Sequence, residues 1–228
     1  MLRAFLAGRI MRNIWITVSY EGSGYAGFQR QENRMTVQEM LENCLLELTG
    51  EKTTLYFVAR TDAGVHAYGQ ECTFYTDSTI PGDCFIYAMN ARLRGDIRVT
   101  KSCEMDEDFS VRRRNYGKTY GYLLTESREA SPFLKRYIWR TGKKLDLEKM
   151  RKAARALEGR HDFTSFRGNN SVPSDPMIKD GFHPELDSSK SRSNVLNSIQ
   201  KVVVIRARWS AGRPNFRLCR SRADGMRS

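Results

Sequence analysis

From Asn13 to Tyr20 the chain alternates, with Ile14, Ile16, Val18 and Tyr20 on one side and Trp15, Thr17 and Ser19 on the other. A period of two predicts a strand covered on at least one face. The period then lengthens. Val37, Met40, Leu41, Cys44, Leu45 and Leu48 recur at helical spacing, with Thr36 and Glu39 as a capping box and Gly50 at the far end, which predicts an amphipathic helix. Leu55 to Ala59 is an uncharged run rich in aromatic and β-branched types and is expected as a buried strand. Further strands are expected at Gln70 to Thr76 and at Ile97 to Lys101, with a helix from about Asp83 to Leu93 between them.

The order is β-α-β-β-α-β, the split βαβ plan of ferredoxin-like and RNA-recognition folds: an antiparallel sheet with helices on one face. Around Phe109 to Tyr116 the composition shifts to Ser-Val-Arg-Arg-Arg-Asn, and we expect a domain boundary there. Beyond it, Lys118 to Thr125 alternates Tyr120, Tyr122 and Leu124 as a strand. Asp146 caps a helix carrying Leu147, Met150, Ala154 and Leu157, which stops at Gly159. Residues 167–197 form a long polar loop, and Ile199 to Trp209 returns to strand. The division expected is an extension at 1–12, a first α/β domain at 13–110, a second at 111–209 and an atypical basic tail at 210–228. Residues 1–12 are too short for a secretory core or a membrane span, and Met11 is expected as the natural start.

The apolar run from Leu55 stops at Arg60 and Asp62, with Gly64 placed for a sharp turn. Two positions apart on extended chain, the cation and the anion would share a face and each would lower the cost of burying the other. Such an Asp is a turn former with a structural Arg partner or, in a partly desolvated cleft, a nucleophile or base. Gly22-Ser-Gly24-Tyr-Ala-Gly27 satisfies G-x-G-x-x-G after a strand, but the next helix starts only at Thr36 and the next strand ends at Arg60, where a dinucleotide site needs an acid. This loop suits close approach to an RNA backbone instead.

Charge decides the class of partner. Lys and Arg number 38 against 26 Asp and Glu, a net +12, and eleven Phe and ten Tyr stand among them. That balance favours a polyanion, and the aromatic surfaces favour RNA over a membrane surface. Cysteines at 44, 72, 84, 103 and 219 form no C-x-x-C pair, so reduced core thiols in a cytoplasmic compartment are expected. His66, His161 and His183 make no H-E-x-x-H, and no metal site is expected; His161 beside Asp162 is expected as a cap or core contact.

Arg60-Thr-Asp-Ala-Gly-Val-His-Ala with Gly69-Gln70 resembles the catalytic motif of the TruA family of tRNA pseudouridine synthases. Tyr20-Glu-Gly-Ser, Gly27-Phe-Gln-Arg-Gln31, Thr36-Val-Gln38, Asn90-Ala-Arg-Leu, Asp96-Ile97, Lys118-Thr-Tyr-Gly-Tyr122 and Gly159-Arg-His-Asp-Phe-Thr-Ser-Phe166 are similar too, in the right order. The resemblance implies a cofactor-free isomerase acting on anticodon-arm uridines of tRNA, working as a homodimer, with two ferredoxin-like α/β domains. It implies Asp62 as nucleophile, Tyr120 as the base-stacking ring and Arg60 beside the flipped nucleotide, with Thr61 and His66 also at the substrate. Gln29, Arg30, Arg112, Arg114 and Lys118 are the candidate contacts to RNA backbone. Phe28, Ala59 and Arg94 depart from the family pattern, and Arg217, Arg220 and Asp224 break the apolar context expected near the C-terminus. We therefore expect an incomplete C-terminal part, and keep beside the enzyme an RNA-binding protein of the same fold impaired in turnover.

Overall fold

The computed structural model describes residues 11–113, 120–129 and 132–157. They fall into two compact units, the first holding 11–113 and the second the remainder. The first contains β1 (Arg12–Tyr20), α1 (Val37–Thr49), β2 (Tyr56–Phe57), β3 (Ala67–Thr76), α2 (Phe85–Asn90) and β4 (Ile97–Met105). Its sheet runs β2-β3-β1-β4 with every pairing antiparallel. The β-α-β-β-α-β order and this strand arrangement are those expected of the split βαβ plan.

One face of the sheet makes the core. Ile14, Ile16 and Val18 of β1, Cys72 and Phe74 of β3, and Ile97 of β4 are fully buried with Val37, Leu41 and Leu45 of α1 and Phe85 and Met89 of α2. Phe28 is buried among them, 4.7 Å from the Phe57 ring. Residues on the opposite side of β1 and β3 meet the chain that leaves β4. Asn13 Nδ2 donates to the carbonyls of Asp106 (3.1 Å) and Phe109 (3.0 Å), and the Tyr75 hydroxyl to that of Glu107 (3.2 Å).

Several elements differ from their expected lengths, each for a local reason. Only Tyr56–Phe57 of the Leu55 to Ala59 run is strand, because β2 is an edge paired to β3 alone; Leu55 and Phe57 are buried, whereas Tyr56 is exposed on the other face against Tyr75. The second helix is shorter than Asp83 to Leu93. It opens with a 3-10 turn at Gly82–Cys84 and closes at Asn90, whose side chain is taken by Val99: Nδ2 donates to the Val99 carbonyl (2.8 Å) and Oδ1 accepts its N–H (2.9 Å). At α1 the expected capping box is half made. Thr36 accepts from the Glu39 N–H, but the Glu39 carboxylate accepts from Arg30.

Among the described residues of the second unit, strand is found at β5 (Leu123–Thr125), shorter than Lys118 to Thr125, and at β6 (Ile138–Arg140), followed by α3 (Leu147–Ala156). β5 and β6 pair in parallel, so this ladder is not the antiparallel one expected. The crossover of about a dozen residues between them is what parallel neighbours require. Asp146 caps α3 as expected, accepting from the Lys149 N–H at 3.0 Å. Gly159, His161, the loop 167–197, the strand from Ile199, the tail 210–228 and most of the extension 1–12 lie outside the described residues. None of the described helices is long and apolar enough to cross a membrane.

Candidate active site

The sheet fixes the two ends of the Arg60 to Asp62 segment. β2 leads in, and at its end Arg112 Nε donates to the Phe57 carbonyl (3.3 Å) with its guanidinium 5.6 Å from the Phe57 ring. β3 leads out from Ala67, opposite Tyr20, through a bulge that sets Tyr68 and Gly69 against Ser19. Between them the buried Gln70 side chain donates to the Ala59 carbonyl. The Val65 N–H donates to the Asp62 carbonyl at 3.2 Å, and Gly64 takes φ +79°, the left-handed value that a type II turn requires at its third position.

A second loop, residues 22–27, packs against this one so closely that its glycines are required. A Cβ on Gly22 would lie 2.0 Å from the Val65 carbonyl oxygen, and one on Gly27, at φ +97°, would lie 2.6 Å from that of Thr61. Backbone bonds join the two loops, from the Phe28 N–H to the Thr61 carbonyl (3.1 Å) and from the Gly64 N–H to that of Tyr25 (3.3 Å). The glycine-rich stretch thus admits the protein's own Asp62 loop at Gly22 and Gly27.

The structure separates the predicted site residues by what they touch. Asp62 and Arg60 are both exposed, and neither side chain has a partner among the described residues. The expected mutual ion pair is absent among them, because the strand ends at Phe57 and the two residues do not stand on extended chain. The Thr61 hydroxyl is bonded to the Tyr20 hydroxyl at 2.7 Å. His66 Nδ1 accepts the Gly22 N–H at 3.0 Å, which puts the proton of the neutral ring on Nε2; Glu21 Oε1 is 3.4 Å from the same nitrogen. Thr61 and His66 thus hold the loop together. Arg30 is neutralised by Glu39 (3.1 Å) and Glu42 (2.9 Å) on α1, and Gln29 beside it is half-buried. Tyr120 is about half exposed in the second unit, and Arg114 and Lys118 lie outside the described residues.

Tyr20, Gly22, Gly27 and Gln70 support the site by holding the Asp62 loop, a role that the sequence reading did not assign to them. Tyr20 was visible as the last member of an alternating strand and as the first residue of Tyr20-Glu-Gly-Ser. Burial pushes its hydroxyl up to about 12, so it stays a neutral phenol. Burial likewise raises the thiols of Cys44, to about 11, and of Cys72. These two are buried as expected of core thiols, while Cys84 and Cys103 are partly exposed.

Comparison with known proteins gives the site a family. The family described as tRNA pseudouridine synthase matches residues 16–112, which include the Asp62 loop and the loop that clamps it. The tRNA pseudouridine synthase A of Acetivibrio thermocellus is 44% identical over 161 residues, covering 71% of this chain and 66% of the relative. That of Citrifermentans bemidjiense is 42% identical over 160 residues (70% and 64%), and that of Clostridium acetobutylicum 39% over 161 (71% and 66%). The matched part spans just under two thirds of the length of these curated relatives. On the match to its first unit and on these identities, the chain belongs to the tRNA pseudouridine synthase family.

Proposed function

We propose that the chain isomerises uridines in the anticodon arm of tRNA to pseudouridine, with Asp62 as the nucleophile. The observation that carries this is a carboxylate with no partner among the described residues, presented by a loop whose backbone is bonded on both sides. Most of the polar groups around it are spent on the loop, and Asp62 is left available. The relatives' name supplies the substrate class, and the net charge of +12 suits a polyanion.

In this reaction the bond from ribose C1′ to uracil N1 breaks, the ring turns, and a bond from C1′ to C5 forms while C5 loses its hydrogen as a proton and N1 gains one from solvent. No electrons are gained or lost, so the chemistry calls for no redox carrier. The Asp62 carboxylate attacks at C1′ or at the ring, and both routes need the uridine out of its stack. Tyr120 is the ring proposed to receive the base. Arg60, with no described partner of its own, holds displaced phosphate. The proposal includes a homodimer working in the cytoplasm.

Tritium release from tRNA labelled at uracil C5 tests it. The parent releases tritium, and Asp62→Asn loses on the order of 10³-fold or more while keeping its affinity for tRNA. Full activity in that variant would sink the assignment. A parent that binds tRNA without releasing tritium would establish the binding-only alternative.

A further inference from the structure

We propose that Tyr20 is a positioning residue for Asp62, acting through Thr61, an inference that rests on the function proposed above. Thr61 stands between the two groups left without described partners, Arg60 and Asp62, and the structure grips it twice. Its carbonyl accepts the Phe28 N–H at 3.1 Å, and its hydroxyl meets the Tyr20 hydroxyl at 2.7 Å. The first bond holds the backbone. Among the described residues, the second is the only side-chain hydrogen bond from residues 60–62 to the sheet.

Tyr20 suits this role by its place. It ends β1, which has neighbours on both sides in β3 and β4, so its backbone is fixed by two ladders. Its ring is 4% exposed and lies 5.8 Å from that of Phe28, which leaves the hydroxyl little freedom to move away. A neutral phenol and an alcohol can exchange donor and acceptor roles, so the latch does not depend on the protonation of either residue at neutral pH. Because the segment from Ala59 to His66 lies outside the sheet ladders, small displacements of Asp62 are resisted by these contacts and not by strand pairing. A shift of about 1 Å in a reacting group costs on the order of 10²-fold in rate.

Tyr20→Phe removes one oxygen and keeps the ring. With tRNA labelled at uracil C5, the single-turnover rate is expected to fall about 10- to 100-fold, with the Kd for tRNA changed less than about twofold. Thr61→Val is expected to match it and Thr61→Ser to restore most of the rate. The Tyr20→Phe/Thr61→Val double variant should be no slower than either single one, because both remove the same bond. Trypsin gives a readout independent of turnover, since Arg60 is followed by Thr61 in the clamped loop. Cleavage after Arg60 should quicken severalfold in Tyr20→Phe and Thr61→Val, and cleavage after Arg98 on β4 should not. Parental turnover in Tyr20→Phe, additive losses in the double variant, a raised Kd in place of a slowed step, or unchanged cleavage after Arg60 would each overturn the proposal. A parent that releases no tritium while its variants still show quickened cleavage would remove the proposed function and leave the latch in place.

Discussion

Helices α1 and α3 carry the same kinds of instruction and meet different fates. Each has an N-cap whose side-chain oxygen accepts from a backbone N–H three residues on, Thr36 from Glu39 and Asp146 from Lys149. Each has an apolar stripe at helical spacing. Yet α1 buries Val37, Gln38, Leu41, Cys44 and Leu45, while α3 buries none of its residues, and Leu147, Met150 and Ala154 are only half covered. Caps and periodicity act locally and specify that a helix forms and where it starts. Burial needs opposing surface, which α1 finds on a four-stranded sheet with α2 beside it.

The largest effect that would test this contrast comes from truncating matched leucines. Leu41→Ala removes a fully buried side chain and should destabilise the first unit by about 2–5 kcal/mol in a urea titration, through lost transfer energy and the cavity left behind. Leu147→Ala, at a half-covered position, should cost under about 1 kcal/mol. Equal losses would break the comparison and show that a surface in solution covers the α3 stripe. Next in size is Thr36→Ala, expected to lower stability by about 1 kcal/mol, since the cap hydroxyl is buried and its bond to the Glu39 N–H is long at 3.4 Å. A loss near zero in thermal melts would mean that the Glu39 and Glu42 ties to Arg30 already hold the start of α1.

What the sequence made legible follows the same division. The strand at Asn13 to Tyr20 and the helix from Thr36 to Gly50 could be read because their periods are local and long, and β4 because its apolar start is clear. The two-residue β2 could not, since an apolar run does not say whether its strand will be an edge. Nor could the early end of α2, which depends on Asn90 reaching Val99 across the fold. At the site, Asp62 and Arg60 were legible from an abrupt change of chemistry and from the motif. The purpose of Gly22 and Gly27 was not. Their glycine character answers to carbonyls of Val65 and Thr61, more than thirty residues away in the chain, and no local pattern encodes that approach. The internal bonds of Thr61 to Tyr20 and of His66 to Gly22 were illegible for the same reason: a polar side chain in a motif gives no sign of a partner within the protein.

The smallest effect separates the two caps by charge. Asp146 is held below the usual carboxylate range, first by the backbone N–H of Lys149 and then by the Lys149 side chain. A carboxylate depressed in the folded state contributes stability that is present above its ordinary range, near pH 4, and is lost as pH falls through the folded value. The Thr36 hydroxyl does not titrate in that window, so acid should loosen the start of α3 and leave the cap bond of α1 in place. In an NMR titration the Lys149 amide shift should therefore move as pH drops below about 4 in the parent and stay flat in Asp146→Asn, where the side chain still caps but carries no proton to gain. A Lys149 amide that does not respond in the parent would mean that the Asp146 bond does not persist in solution, and that α3 is held by something other than the signal at its own N-terminus.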